Sequence, residues 1–378
     1  MKVIIAPNAL KDSLSAIDAA KAIRTGILQS DPQHETVCIP IADGGDGLLL
    51  VLKHALNGEW KTLNVQGPLG RPVQASFLYC ENKSLAIIEL ASAAGLALLE
   101  EHEYDIRAAS TYGVGQLINA ALALNINHLI LGIGGSATTD GAMGVASALG
   151  VKFFDRDEKV LKSCANNLNK INRIDTSQVN KKLGSVKFDI VCDVSNPLLG
   201  VQGAAAVFAP QKGADAEDII FLEEGLAHFA DILQVSQHID VREIEGGGAA
   251  GGVGAGLKAL FNANLCKGAE LVLDLLAFED QIKNADLLIT SEGKLDSQTA
   301  YGKAPFVAAK MAKKYQIPAF AIVGQADEGC LRNLPVFDGI YTLTSTNITS
   351  EYAITHASEL MQHMAAKLML DICSEMRS

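Results

Sequence analysis

The chain has almost no tryptophan, one residue in 378, and nowhere do lysine and arginine gather into a block. Affinity for a phosphate backbone needs clustered base, so that second lack excludes nucleic-acid binding. The net charge of −12, from 43 acids against 31 bases, points the same way. No apolar run approaches the ~20 residues of a membrane span. The apolar part of "MKVIIAPNAL" is too short for a signal peptide and leads into a helical pattern. Seven cysteines are scattered with no C-x-x-C spacing, as expected of reduced thiols in a cytoplasmic protein. The eight histidines show no metal-ligand spacing. Any glycine loop here also lacks the G-K-[ST] ending of a Walker A motif.

What is present is apolar, glycine-rich and long enough for two domains, with 34 glycines and 49% hydrophobic residues. "KVIIAP" reads as a buried strand, and "AIDAAKAIRTGILQ" as a helix capped by Ser15 or Ser13. "ETVCIPIAD" and "DGLLLVLKHAL" continue a βαβα pattern. The other end repeats that grammar, with strands in "ADLLITS", "IPAFAIVGQ" and "FDGIYTLTS", a helix in "APFVAAKMAKKY" and one long closing helix from "SEYAITH" onward. The middle alternates and turns at Gly67-Pro68 and Gly70-Arg71-Pro72, as antiparallel strands do. The pattern predicts an α/β protein: a parallel-sheet domain split between residues 1–60 and 286–378, and an inserted domain over 61–285.

In an open parallel sheet, ligands collect at the carboxyl ends of the strands. Polar residues stand at each such end: Asn8, Lys11 and Ser13, then "ADGGDG" with Asp43, then "SEGKLDSQT" with Glu292, Lys294, Asp296 and Gln298, then Gly324-Gln325. Two glycine-rich stretches stand out. "LGIGGSATTDGAMG", Leu131 to Gly144, reads as strand, turn and helix start. Its Gly132, Gly134 and Ala137 fit G-x-G-x-x-A, with Asp155 spaced as a ribose-binding acid, so a nicotinamide-dependent dehydrogenase of a small hydroxy acid is one reading. Against it, Ser136, Thr138, Thr139 and Asp140 are more polar groups than a pyrophosphate turn needs, and they also suit helix capping. "EGGGAAGGVGAG" carries another G-x-G-x-x-G, but no strand precedes it, which suits a tight helix entrance. Asp193 and Asn196 close the strand in "FDIVCDVSNPL", where a carboxylate could serve as general base or Mg²⁺ ligand, or simply form an Asx-turn.

Taken together, "APNALKDSLSA", "IPIADGGDG", "IELASAAGL", "ASTYGVGQLI", "LGIGGSATTDGAMG", "CDVSNPLLG" with "GAAAVFAPQKGA", "GGGAAGGVGAGL" and "SEGKLDSQT" with "GKAP" resemble the bacterial glycerate kinase family, in order and across the whole chain. Asn8-Ala9 depart from that family's usual "APDSFK", Asp46 stands where Glu is usual and Ser291 where Gly is usual. The resemblance implies a flavodoxin-like domain split between the chain ends, an inserted mixed-sheet α/β domain, and transfer of phosphate from ATP to the 2-hydroxyl of D-glycerate with Mg²⁺. It implies Asp193 as the base. Gly134, Gly135, Ser136 and Thr138 would hold ATP phosphates, with Lys294 neutralising their charge. Lys11 with Ser13 would face the substrate carboxylate, Arg71 being a second candidate, and Asn8 would lie beside the substrate. Asp43 or Asp296 would bind Mg²⁺ or substrate hydroxyls. A homodimer is the default expectation for such an enzyme.

Overall fold

The computed structural model describes residues 1–43, 47–295, 302–327, 329, 334–345 and 348–375. The chain divides into two compact units, Met1–Asn57 with Lys267–Ser378, and Gly58–Cys266. The segment Lys267–Asp286 thus belongs with the chain ends. There the helices Gly268–Leu275 and Phe278–Ile282 supply Ala269, Leu273, Phe278 and Ile282 to that unit's core.

The unit built from the two ends is a five-stranded parallel sheet in the order β13-β12-β11-β1-β2. Its strands are β1 (Lys2–Pro7), β2 (Glu35–Cys38), β11 (Leu287–Leu295), β12 (Ala319–Ala326) and β13 (Gly339–Thr342). Counted within the unit this is the 2-1-3-4-5 order of flavodoxin-like folds. Both sheet faces are covered, which is why "KVIIAP" is apolar throughout instead of alternating. Val3 and Ile5 pack with Ile23, Ile27 and Met361 on one face, while Ile4 and Ala6 pack with Leu273, Ala308 and Ala312 on the other. Each fully buried Val or Ile of β1 contributes about 1.5–3 kcal/mol. The helix Ala16–Ser30 starts at Ser15, whose Oγ accepts from the Asp18 amide at 3.1 Å. The closing helix is interrupted at His356, giving Ser350–Thr355 and Ala357–Glu375. β11 runs on through Lys294 and Leu295, so "SEGKL" is strand and not loop, because Glu292, Lys294 and Leu295 continue the ladder on Val323, Gln325 and Ala326.

The second unit holds a six-stranded mixed sheet in the order β10-β9-β6-β5-β4-β3. β3 (Glu59–Gln66), β4 (Pro72–Cys80) and β5 (Leu85–Glu89) run antiparallel in turn. β5, β6 (His128–Gly132), β9 (Lys187–Val191) and β10 (Asn264–Cys266) are parallel. β7 (Lys152–Phe154) and β8 (Arg173–Asp175) form a separate antiparallel pair.

Candidate active site

The register of the mixed sheet places the expected residues. Glu89 of β5, Gly132 of β6 and Val191 of β9 lie side by side, so the loops after them leave one sheet edge from neighbouring strands. Asp193 is exposed two residues beyond Val191, and the loop 133–142 starts at Ile133. Antiparallel pairing brings the β3–β4 turn to the same edge, with Arg71 in it. Arg71 pairs there with Glu103 at 2.8 Å and lines a cavity of about 320 Å³ with Pro68, Leu98 and Glu100. That pairing holds the Glu103 carboxyl down at about 2.

The loop is anchored on both sides. The Leu96 amide donates to the Gly135 carbonyl and the Ala137 amide to the Ala94 carbonyl, both at 2.9 Å. Gly141 donates to the carbonyl of Gly251 at 3.0 Å. A Cβ on Gly251 would lie 2.3 Å from the Thr138 carbonyl, and one on Gly256 would lie 1.9 Å from the Gly141 carbonyl. The tract "EGGGAAGGVGAG" is therefore a surface on which backbone rests on backbone, not a ligand loop. Gly134 and Gly135 face solvent, and a Cβ on Gly134 would meet nothing within 4 Å. Ser136 is nearly buried, and Thr138 and Thr139 are fully buried. Among the described residues, neither Thr138 Oγ1 nor Thr139 Oγ1 has a hydrogen-bond partner.

Two buried charges support the loop. Asp140 accepts from the Thr111 amide at 2.8 Å, the Thr111 hydroxyl at 2.9 Å, and the amides of Gly144 at 3.1 Å and Ala142 at 3.2 Å. None of the capping candidates is the N-cap of the helix Met143–Ala148, which is Ala142, but Asp140 takes up the Gly144 amide of its first turn. Burial raises its pKa against those donors. Lys212 is 2% exposed, and its Nζ donates to the Thr138 carbonyl at 2.6 Å and to Ser136 Oγ at 2.8 Å. Burial pushes this ammonium down to about 7, with the Asp140 charge opposing the shift. Sequence reasoning took the run "GAAAVFAPQKGA" as a family motif but did not single out Lys212 in it, since a lysine there carries no mark of an interior position.

The dehydrogenase reading does not fit the geometry. A dinucleotide fingerprint needs its helix to begin at the turn, whereas here helix starts only at Met143. Asp155 is used by its own turn, accepting the amides of Asp157 and Lys159 at 2.9 Å.

In the unit of the chain ends, Lys11, Ser13 and Lys294 line one cavity of about 280 Å³ with Leu10, Gln325 and Ile354. It sits at the carboxyl ends of β1 and β11, where the strand order reverses and ligands collect in such sheets. Lys294 pairs with Asp327 at 3.0 Å, and the Ser13 hydroxyl donates to the Ile354 carbonyl at 2.8 Å. Asn8 Nδ2 donates to Asp43 Oδ2 at 2.8 Å, while the Ala304 amide donates to Asp43 Oδ1. Asp43 therefore ties Asn8 to the start of the helix Ala304–Lys314, and burial raises its pKa. Asp296 and Gln298 lie outside the described residues, as does Asp46. Among the described residues no three His, Cys, Asp or Glu side chains come together as a metal site.

The relatives of this chain make it a phosphotransferase. The match to the model of the glycerate kinase family runs from residue 3 to residue 373, and the chain belongs to that family. It is 39% identical over 374 residues to a glycerate kinase of Bacillus subtilis strain 168, covering 98% of each chain. It is 40% identical over 324 residues to the glycerate 2-kinase of Escherichia coli K12, covering 86% of this chain and 85% of that one. A crystal structure from Salmonella typhimurium LT2, provisionally named glycerate kinase 2, superposes with a TM-score of 0.91 at 37% identity, covering 100% of both chains.

Proposed function

We propose that this enzyme transfers the γ-phosphoryl group of ATP to the 2-hydroxyl of D-glycerate. The observation that carries the reading is the shared sheet edge: the exposed Asp193, two residues past the end of β9, stands beside a side-chain-free, solvent-facing backbone at Gly134-Gly135. Phosphoryl transfer asks little covalent chemistry of a protein; it asks for positioning, charge neutralisation and a group to accept the hydroxyl proton. Asp193 takes the proton from the glycerate hydroxyl as its oxygen attacks. The amides of Gly134 and Gly135, with Ser136, hold phosphate oxygens that a side chain would otherwise keep at a distance. Thr138 works from inside, as a carbonyl anchor. Lys294 answers phosphate charge, and Lys11 or Arg71 the glycerate carboxylate. A Mg²⁺ ion supplies charge neutralisation on the phosphates, and such ions are held largely by phosphate and water with one or two carboxylates. Both oxygens of Asp43 already accept hydrogen bonds, which suits it better to ordering Asn8 than to gripping a metal. The enzyme works in the cytoplasm on two small molecules, with no nucleic-acid or membrane partner.

The test is ADP release with Mg-ATP and D-glycerate, followed by enolase acting directly on the product. ADP release with enolase turnover is expected. Release without it would move the phosphate to the 3-hydroxyl, and no release would sink the kinase reading for this substrate.

A further inference from the structure

Lys212 takes no part in the chemistry just described, yet its place demands an explanation. A buried ammonium is costly to keep in a protein interior and is ordinarily paired with a carboxylate in contact. Here its two hydrogen bonds go to a neutral hydroxyl and a neutral carbonyl, Ser136 Oγ and the Thr138 carbonyl. Both belong to the one loop whose outer face is bare backbone at Gly134 and Gly135. The same loop carries two fully buried threonine hydroxyls without partners among the described residues. The acidic group acting on Lys212 is Asp140, and that carboxylate is already surrounded by donors from Thr111, Ala142 and Gly144. The cation is thus left with charge to offer towards the loop.

We propose that Lys212 is a positioning residue of the phosphate loop: from beneath, it fixes Ser136 and Thr138, and its charge answers that of the ATP phosphates bound above. This rests on the assignment of the loop to ATP. Binding of the polyanion would then favour the charged lysine, so nucleotide binding above neutral pH takes up a proton. The direction agrees with burial holding the free ammonium near neutrality. A merely structural lysine would give no such linkage.

The experiment is calorimetric titration of the full-length protein with Mg-ATP at pH 8, in two buffers of different ionisation enthalpy. Lys212→Gln and Lys212→Met are run alongside, and kcat and KM are measured for both substrates. The wild type is expected to take up a substantial fraction of a proton and the variants none. Loss of the charged hydrogen bonds should weaken ATP binding by about tenfold or more and raise KM for ATP without a comparable rise for glycerate. Lys212→Gln, which keeps a donor without the charge, should recover part of the loss seen in Lys212→Met but none of the proton uptake. If wild type takes up no proton, or if a folded variant binds ATP as tightly as wild type, the proposal fails. The wild-type measurement stands even if neither variant folds. Proton-linked ATP binding without glycerate turnover would overturn the glycerate assignment and leave this one in place.

Discussion

Replacing Lys212 by methionine should change how stability depends on pH. Burial lowers the folded-state pKa to about 7 from an ordinary 10.5. Between those values the unfolded chain binds more protons than the folded one, so wild-type stability rises with pH across that window. Below pH 7 the penalty for keeping the lysine charged inside is complete. At roughly 1.4 kcal/mol per pH unit, this group alone should add about 3 kcal/mol to the wild type between pH 6 and pH 9. Lys212→Met has no such dependence. It does leave Ser136 Oγ and the Thr138 carbonyl without their donor, at about 1–3 kcal/mol each. The variant should therefore come close to wild type at pH 6 and fall clearly below it at pH 9. Urea unfolding of both proteins at the two pH values measures this directly. A difference between the proteins that stays constant within about 1 kcal/mol across the range would show that the lysine does not titrate as its burial requires.

Asp193→Asn should lower kcat by about 10²- to 10⁴-fold, the usual contribution of a general base, with ATP affinity near that of wild type by calorimetry. A kcat close to wild type would end the base assignment. Gly256→Ala should lower the melting temperature, because its Cβ would lie 1.9 Å from the Gly141 carbonyl. That reverses the gain of about 1 kcal/mol which alanine gives over glycine inside a helix, and a variant as stable as wild type would refute the packing. Gly134→Ala is the converse, since its Cβ would meet nothing within 4 Å. Stability within about 0.5 kcal/mol of wild type with a raised KM for ATP is expected, and an unchanged KM would remove Gly134 from the phosphate contacts.

The two ends of the chain were legible because β strands buried on both faces write themselves as apolar runs, as Val3 to Ala6 do, and because Ser15 sits where a cap must. The carboxyl ends of the strands then pointed to Lys11, Lys294 and Asp193 with no need of tertiary detail. The extent of β11 was not legible, since its last residues are polar and become strand only through pairing with Gln325 and Ala326. Nor was the break at His356, inside a stretch whose helical period continues on both sides. The glycine tract at 246–256 was ambiguous for a physical reason: a backbone that must approach phosphate and one that must approach another backbone both call for the missing Cβ. Lys212 lay hidden because burial of a charge depends on what folds over it, and its partners are 74 and 76 residues away.

The pairing of β1 with β11 has a consequence for the order in which the protein is made. Val3 waits for Leu287, 284 positions downstream. At 5–20 residues per second of synthesis that delay is roughly 15 to 60 s. Residues 58–266 form a contiguous unit and leave the ribosome able to fold at once. The strand Lys2–Pro7, made long before β11, is completed late, and its Ile4 and Ala6 face stands open until Leu273, Ala308 and Ala312 arrive to cover it. Nascent chains of this protein should therefore present chaperones with their first sixty residues, not with the inserted unit.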